Sequence, residues 1–318
     1  MNQIEHTVQI RGTGSHGGAI DPQTAGYTLM NIPNVVRDSI RMSVLRSSRQ
    51  QRGPLKRLAP AWNRIEFKGQ TAESDGSTLL HFSAPTLEQA APQLFSQISL
   101  FEDIVSAQDT GFDLLGKMLR DIAMNCTDSE RFDTPILGRI AKFSTMDRYG
   151  IDLLHFGGHT LDDIPHTEIN AEVIATAQSL YQKTPVPVRV RISGQLDMIR
   201  ISNRLFEIVL TDGERVRAVW TPSDVVELRD YLSKDVVVEG KAIYRPSGSL
   251  LRIDAEAIAR TTAQDTFFSS LPKPSHRTLD LKQIRSRQNE KTGINAIWGV
   301  WEGEETEEDL LRGLEEIR

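Results

Sequence analysis

Three groups of side chains in this 318-residue chain have the types and spacing to do chemistry. The first is His155, His159 and His166 with Asp162 and Asp163, donors of the kind that hold transition metals. His155 and His159 would meet on one side only in a helix, and Phe156-Gly157-Gly158 between them predicts a loop. They read as a polar loop, and no metal site is expected. The second is Gly12-Thr13-Gly14-Ser15-His16-Gly17, which matches G-x-G-x-x-G after a short strand candidate, Val8 to Arg11. Dinucleotide binding also needs a helix opening inside the glycines and an acidic strand end about 20 residues on. Here the helix signal, Asp21-Pro22, comes later, so the glycines read as a flexible loop. The third is a set of arginines with two aromatic residues, suited to phosphate contact and base stacking. No nucleophile elbow, Walker loop, H-E-x-x-H or kinase set occurs. The chain is expected to be non-catalytic and to use no cofactor.

Charge is unevenly spread around a net −6. From Arg37 to Arg64 there are eight Arg/Lys and one acid, Asp38; from Glu302 to Glu316 there are eight acids and one base, Arg312. This split predicts a cationic surface for a polyanion and an acidic end with a different job. Ile32, Val35, Val36, Ile40 and Val44 form the apolar stripe of a helix, which Pro33 is expected to break or restart. Arg37, Arg41, Arg46 and Arg49 lie on its other side or in the loop after it. Both a solvated helix face and phosphate contact remain open for them.

The elements that must position these groups divide the chain in three. Residues 1–183 predict an α+β domain. Its signals are a hairpin around Ser74-Asp75-Gly76-Ser77 and a helix from Thr86 to Ile98 interrupted by Pro92. A helix from Thr110 to Met124 follows, with Thr110 and Asp113 as a capping box. A further helix begins at Thr134-Pro135, a strand runs from Ile151 to Phe156, and another helix covers Thr167 to Gln182. Residues 184–263 predict a small β-barrel. Val188, Val190 and Ile192 alternate with Arg189, Arg191 and Ser193, and this first strand continues to Ile199. Leu205 to Leu210, the Asp212-Gly213 turn and Val216 to Trp220 form a hairpin. Pro222-Ser223-Asp224 opens a short helix; Asp235 to Arg245 and Leu250 to Ile258 are the last strands, the latter with Leu251, Ile253, Ala255 and Ala257 on one side. Residues 264–318 predict a linker and an extended tail with a terminal helix.

Three strands, a helix and two strands between Pro187 and Thr262 resemble the oligonucleotide/oligosaccharide-binding (OB) barrel. The resemblance implies single-stranded nucleic acid on the face of strands two and three. Those strands hold Arg204, Phe206, Arg215, Arg217 and Trp220. Phe206 and Trp220 either stack bases or fill the barrel interior; alternation alone does not say which. Glu239-Gly240-Lys241 resembles the E-x-K of metal-dependent nucleases. That site needs an aspartate on the adjacent strand, and Asp224 and Asp235 fall in the helix and at a strand start, so the pair reads as alternating outward charges.

The tail carries Trp298-Gly299-Val300-Trp301-Glu302-Gly303 and then Glu304-Glu305-Thr306-Glu307-Glu308-Asp309-Leu310-Leu311. Leu310, Leu311, Leu314 and Ile317 give one apolar side to a last helix, and Trp298 and Trp301 are natural anchors for a partner. This segment is similar to the C-terminal peptide of bacterial antitoxins that pair with PIN-domain ribonuclease toxins. The resemblance implies a peptide that wraps the toxin over its acidic metal site. Such antitoxins are normally short, and the long body in front of this tail departs from them.

The expected function is that of a binding protein, antitoxin-like or regulatory. The tail captures a partner protein, with a PIN-type toxin as the class implied, and the basic body binds DNA or RNA. The alternatives are a stand-alone nucleic-acid-binding or phage-defence component, and a metal-dependent nuclease. One cysteine, Cys126, excludes an internal disulfide. The start MNQIEHTVQI has no basic opening and no apolar core, and no apolar run reaches about 18 residues. No membrane association and a bacterial, cytoplasmic setting are expected.

Overall fold

The computed structural model describes residues 3–48, 64–90, 92, 105–201, 203–222, 226–262, 271 and 274. The fold is α+β, and the described residues belong to one compact unit, Met1–Arg277. It contains two separate apolar cores, one per lobe.

The first lobe is an antiparallel sheet with helices on one face. Its elements are β1 (Ile4–Arg11), β2 (Ser15–His16), β3 (Ala19–Ile20), α1 (Pro22–Leu45), β4 (Glu66–Ala72) and β5 (Thr78–Ala84). Then come α2 (Leu87–Ala90), α3 (Gly111–Ala123), α4 (Thr134–Ala141), a 3-10 segment Lys142–Tyr149, β6 (Leu153–Gly157), a 3-10 segment His159–Asp163, β7 (Glu168–Ile169) and α5 (Ala171–Lys183). The sheet order is β4-β5-β1-β6-β7, with β2 and β3 as a separate small ribbon. Val8 and Ile10, Leu80 and Phe82, and Leu154 and Phe156 alternate inward, where Phe112, Leu115, Leu119 and Ile122 of α3 meet them. An antiparallel sheet with one covered face requires this period of two. The capping box is present: the Thr110 side chain accepts from the Asp113 N–H, and the Asp113 carboxylate accepts from the Thr110 N–H.

Two local expectations are corrected. Pro33 does not break α1, which runs unbroken to Leu45 with Arg46 as its left-handed cap. A mid-helix proline costs about 3 kcal/mol. Ile32, Val35 and Val36 beside it are fully buried, at about 1.5–3 kcal/mol each, which outweighs that cost. The glycine segment, read as a flexible loop, contains β2 of the short β2–β3 ribbon and packs against the chain near Gly150. Gly12 has φ +141° and leaves no room for a Cβ against the Gly150 carbonyl oxygen, which accepts from the Gly14 N–H at 2.9 Å. Gly12 and Gly14 serve close backbone packing, whereas Gly17 sits at positive φ in open space. Of the helix expected from Thr86 to Ile98, most lies outside the described residues.

The second lobe is a closed barrel of β8 (Val188–Arg200), β9 (Leu205–Val209), β10 (Arg215–Trp220), β11 (Asp235–Tyr244) and β12 (Leu250–Arg260), with α6 (Val226–Arg229) between β10 and β11. Its circular order is β10-β12-β11-β8-β9; only β10 and β12 run parallel. This order is compatible with an OB-like barrel. The interior holds Ile192, Leu196, Phe206, Ile208, Val216, Ala218, Trp220, Val236, Val238, Ile253 and Ala255. Along β12 the expected side is partly wrong. Register shifts at Glu239/Gly240 and Ile243/Tyr244 change its phase. Leu250 and Ile258 therefore join Ile253 and Ala255 at the core, while Leu251 turns outward onto Met42 of α1 and Ile243, and Ala257 is exposed. An extra residue in a strand reverses which side chains face in.

The two lobes are joined along a seam. Met42, Ile243 and Leu251 form a small third apolar cluster. Beside it, the Asn203 amide donates to the Val44 carbonyl at 3.3 Å, and the Ser247 N–H donates to the Thr127 carbonyl at 3.2 Å. The Ser249 hydroxyl donates to Asp128 at 2.9 Å. No described helix is long and apolar enough to cross a membrane.

Candidate functional site: an arginine-carboxylate seam

The seam also gathers three of the predicted arginines, Arg46, Arg215 and Arg217, with Arg245 beside them. Arg46 caps α1, Arg217 points outward from β10, and Arg245 follows β11. All three guanidinium groups reach the carboxylate of Glu130, in the segment joining α3 to α4. Arg46 Nη1 lies 3.3 Å from Glu130 Oε2; Arg217 Nη1 lies 3.0 Å from Oε2 and 3.1 Å from Oε1; Arg245 Nη2 lies 3.0 Å from Oε1. Arg217 Nε also donates to Glu207 at 3.3 Å, and Arg215 Nη1 reaches Glu207 at 3.4 Å and Asp197 at 3.0 Å. The Glu130 side chain remains 26% exposed. Nε of Arg245 is buried and has no hydrogen-bond acceptor among the described residues.

Next to this patch lies a sealed pair of different character. Arg252 and Asp133 are 2% and 0% exposed, with Nη2 3.1 Å from Oδ2. Arg252 Nε donates to Asp254 at 2.8 Å, and the Ser48 N–H donates to Asp133 at 3.2 Å. Burial works against the Arg252 charge, but the two carboxylates outweigh it and hold its pKa above the usual arginine value. A sealed guanidinium–carboxylate pair, with Asp254 on its more open side, is a structural lock.

The remaining predicted contacts are dispersed. Phe206 and Trp220 do not present a stacking surface: at 0% and 1% exposure they pack edge to face in the barrel interior, 6.4 Å between centroids. Inward alternation on β9 and β10 claims them, and their bulk fills the barrel. Arg204 is 4% exposed and donates to the Pro222 carbonyl at 3.1 Å, so it braces the loop after β10 rather than meeting a phosphate. Arg37 donates to Asn34 at 3.2 Å, and Arg41 to Asp38 at 3.1 Å, so these two are engaged along their own helix. Asp38 also pairs with Arg139 of α4; burial is the main influence on it and raises its pKa. Arg49 lies outside the described residues, as do Trp298, Trp301, Leu310, Leu311, Leu314 and Ile317. Glu239 and Lys241 pair across the outside of the barrel with Arg191 at 3.4 Å and Glu256 at 3.3 Å.

The histidine loop has a partner that the sequence reading missed. His159 Nδ1 lies 2.8 Å from Asp113 Oδ2, and Thr160 donates to Asp113 Oδ1 at 2.6 Å. Burial alone would raise the Asp113 pKa. Hydrogen bonds from Thr160, the Thr110 N–H, His159 and the Thr110 hydroxyl overcome it and hold the carboxylate low. A carboxylate on Nδ1 holds the imidazole in one orientation. Gly158 at φ +91° and His159 at φ +52° make the turn that delivers the ring. His155 stays on β6, and His166 lies 3.8 Å from Glu168. Among the described residues no group of three metal-ligating side chains converges.

An open cleft of about 550 Å³ between α4 and α5 is lined by Arg139, Lys142, Gln178, Tyr181 and Gln182 among others, and none of the sequence candidates borders it. Glu130, Glu207 and Asp133 were invisible as site residues because their partners lie 87, 10 and 119 positions away along the chain. No protein-family model, curated protein or solved structure matches the chain.

Proposed function

We propose that this chain is a non-catalytic binding protein. Its body grips a phosphate-bearing polyanion, DNA or RNA, along the β9–β10 side of the seam, and its C-terminal segment captures a protein partner. The observation that carries the first part is the gathering of Arg46, Arg215, Arg217 and Arg245, drawn from both lobes, on one partly exposed patch. Four guanidinium groups converge there on the carboxylates of Glu130, Glu207 and Asp197. Backbone recognition needs only such a patch; the burial of Phe206 and Trp220 removes base stacking from the reading and with it any expected sequence preference. The second part rests on the amphipathic, Trp-bearing sequence from Trp298 to Ile317, and an antitoxin-like role toward a PIN-type ribonuclease is its most specific form.

Titrating a labelled single-stranded oligonucleotide at several salt concentrations tests the first part. A log-log slope of about −0.7 per phosphate contact is expected, reduced by Arg215→Glu with Arg217→Glu. A salt-independent affinity would refute it. Removing residues 289–318 should abolish complex formation with the partner on size exclusion; unchanged co-elution would remove the second.

A further inference from the structure

We infer that Arg46, Arg217 and Arg245 form an oxyanion site for a backbone phosphate, and that Glu130 fills it in the unliganded protein. A bound strand would displace this carboxylate. The inference rests on the polyanion reading of the seam and adds how the site is kept closed.

Two features separate Glu130 from the structural pairs around it. Asp38 and Asp121 each pair with two arginines, both within the first lobe; Glu130 gathers three, two of them from the barrel. The Asp133 carboxylate is sealed, whereas Glu130 stays open to water on one side. Arg245 Nε is buried and has no acceptor among the described residues, while its Nη1 donates to Ser249 Oγ at 3.2 Å and to the Leu250 carbonyl and only Nη2 reaches Glu130. A carboxylate and a phosphate diester offer the same charge and similar oxygen geometry to guanidinium forks. A strand supplies several phosphates and releases counterions, which one side chain cannot match. The lobes would stay joined after displacement, because Arg252–Asp133, Ser249–Asp128 and the Met42–Ile243–Leu251 contacts do not involve Glu130.

The test compares wild type with Glu130→Gln on a fluorescein-labelled oligothymidylate, by anisotropy across a salt series, with inorganic phosphate as a separate ligand followed by thermal shift. Tightening of about tenfold in Glu130→Gln, with about one more phosphate contact in the salt slope, supports the inference. Adding Arg217→Gln should remove the gain. Equal affinity of wild type and Glu130→Gln overturns the inference and leaves the polyanion reading standing. If neither protein binds the strand or phosphate, both fall. Phosphate binding by Glu130→Gln without strand binding would leave a free-phosphate site and overturn both the polyanion reading and displacement by a strand. If Glu130→Gln melts below the assay temperature, Glu130→Asp replaces it. That variant keeps the charge but withdraws it by one methylene, and an affinity unchanged from wild type there also overturns the inference.

Discussion

At the scale of single residues, the buried polar groups of the first lobe make its stability depend on pH. His6 is fully buried, and burial lowers its pKa to about 4. The unfolded chain takes up this proton near 6.5, the folded chain only near 4. Stability is therefore whole above 6.5 and falls as pH drops from 6.5 to 4, by up to about 3 kcal/mol at roughly 1.4 kcal/mol per unit. Urea melts across this range should show the fall in wild type and a flatter profile in His6→Gln. Asp113 contributes in the opposite part of the scale. Its pKa is held low, so its contribution is present above the ordinary carboxylate range and is lost only as pH falls through its depressed value. Asp113→Ala leaves His159, Thr160 and the Thr110 cap without their acceptor and should cost about 3 kcal/mol at neutral pH, measured by chemical denaturation. The capping half of this arrangement was legible, since Thr110 and Asp113 are three apart. The link to His159 was not, because nothing local in a sequence says which loop a helix start will meet.

At the scale of elements, period and turn chemistry gave the barrel its five strands within a residue or two, and Asp212-Gly213 gave the β9–β10 turn, with Gly213 at φ +85°. What failed was the facing of side chains where register shifts. Leu250 and Leu251 are chemically identical neighbours, and only the irregularity opposite Ile243 and Tyr244 decides that one enters the barrel and the other turns to α1. The same limit applies to Phe206 and Trp220, whose alternation was read correctly while its inner side stayed open. Pro33 shows the converse, a strong local signal overridden by burial of its neighbours. Pro33→Ala should restore the backbone bond to the Leu29 carbonyl and raise the thermal midpoint, with a gain of about 1–3 kcal/mol. A lowered midpoint would mean that the ring itself packs.

At the scale of the whole molecule, the two cores meet, among the described residues, along the seam. Charge counting along the sequence found the Arg37–Arg64 run but left open whether those arginines face water or a phosphate. In the fold, Arg41, Arg46, Arg215 and Arg217 hold acids of their own chain. Arg252→Ala would leave Asp133 buried without its counter-charge, at a cost of about 3–5 kcal/mol. Calorimetry should then resolve two transitions where wild type gives one. Persistence of a single transition at the wild-type midpoint would show that the lobes do not depend on this lock.

The Met42–Ile243–Leu251 cluster also limits what can be made of the barrel by itself. Excised near Pro187, it would present Ile243 and Leu251 to water as an oily spot beside an orphaned Arg252. A free-standing version is expected to self-associate until those two positions are redesigned as hydrophilic ones, so any transplant of this module has to bring its neighbour along or repaint that side.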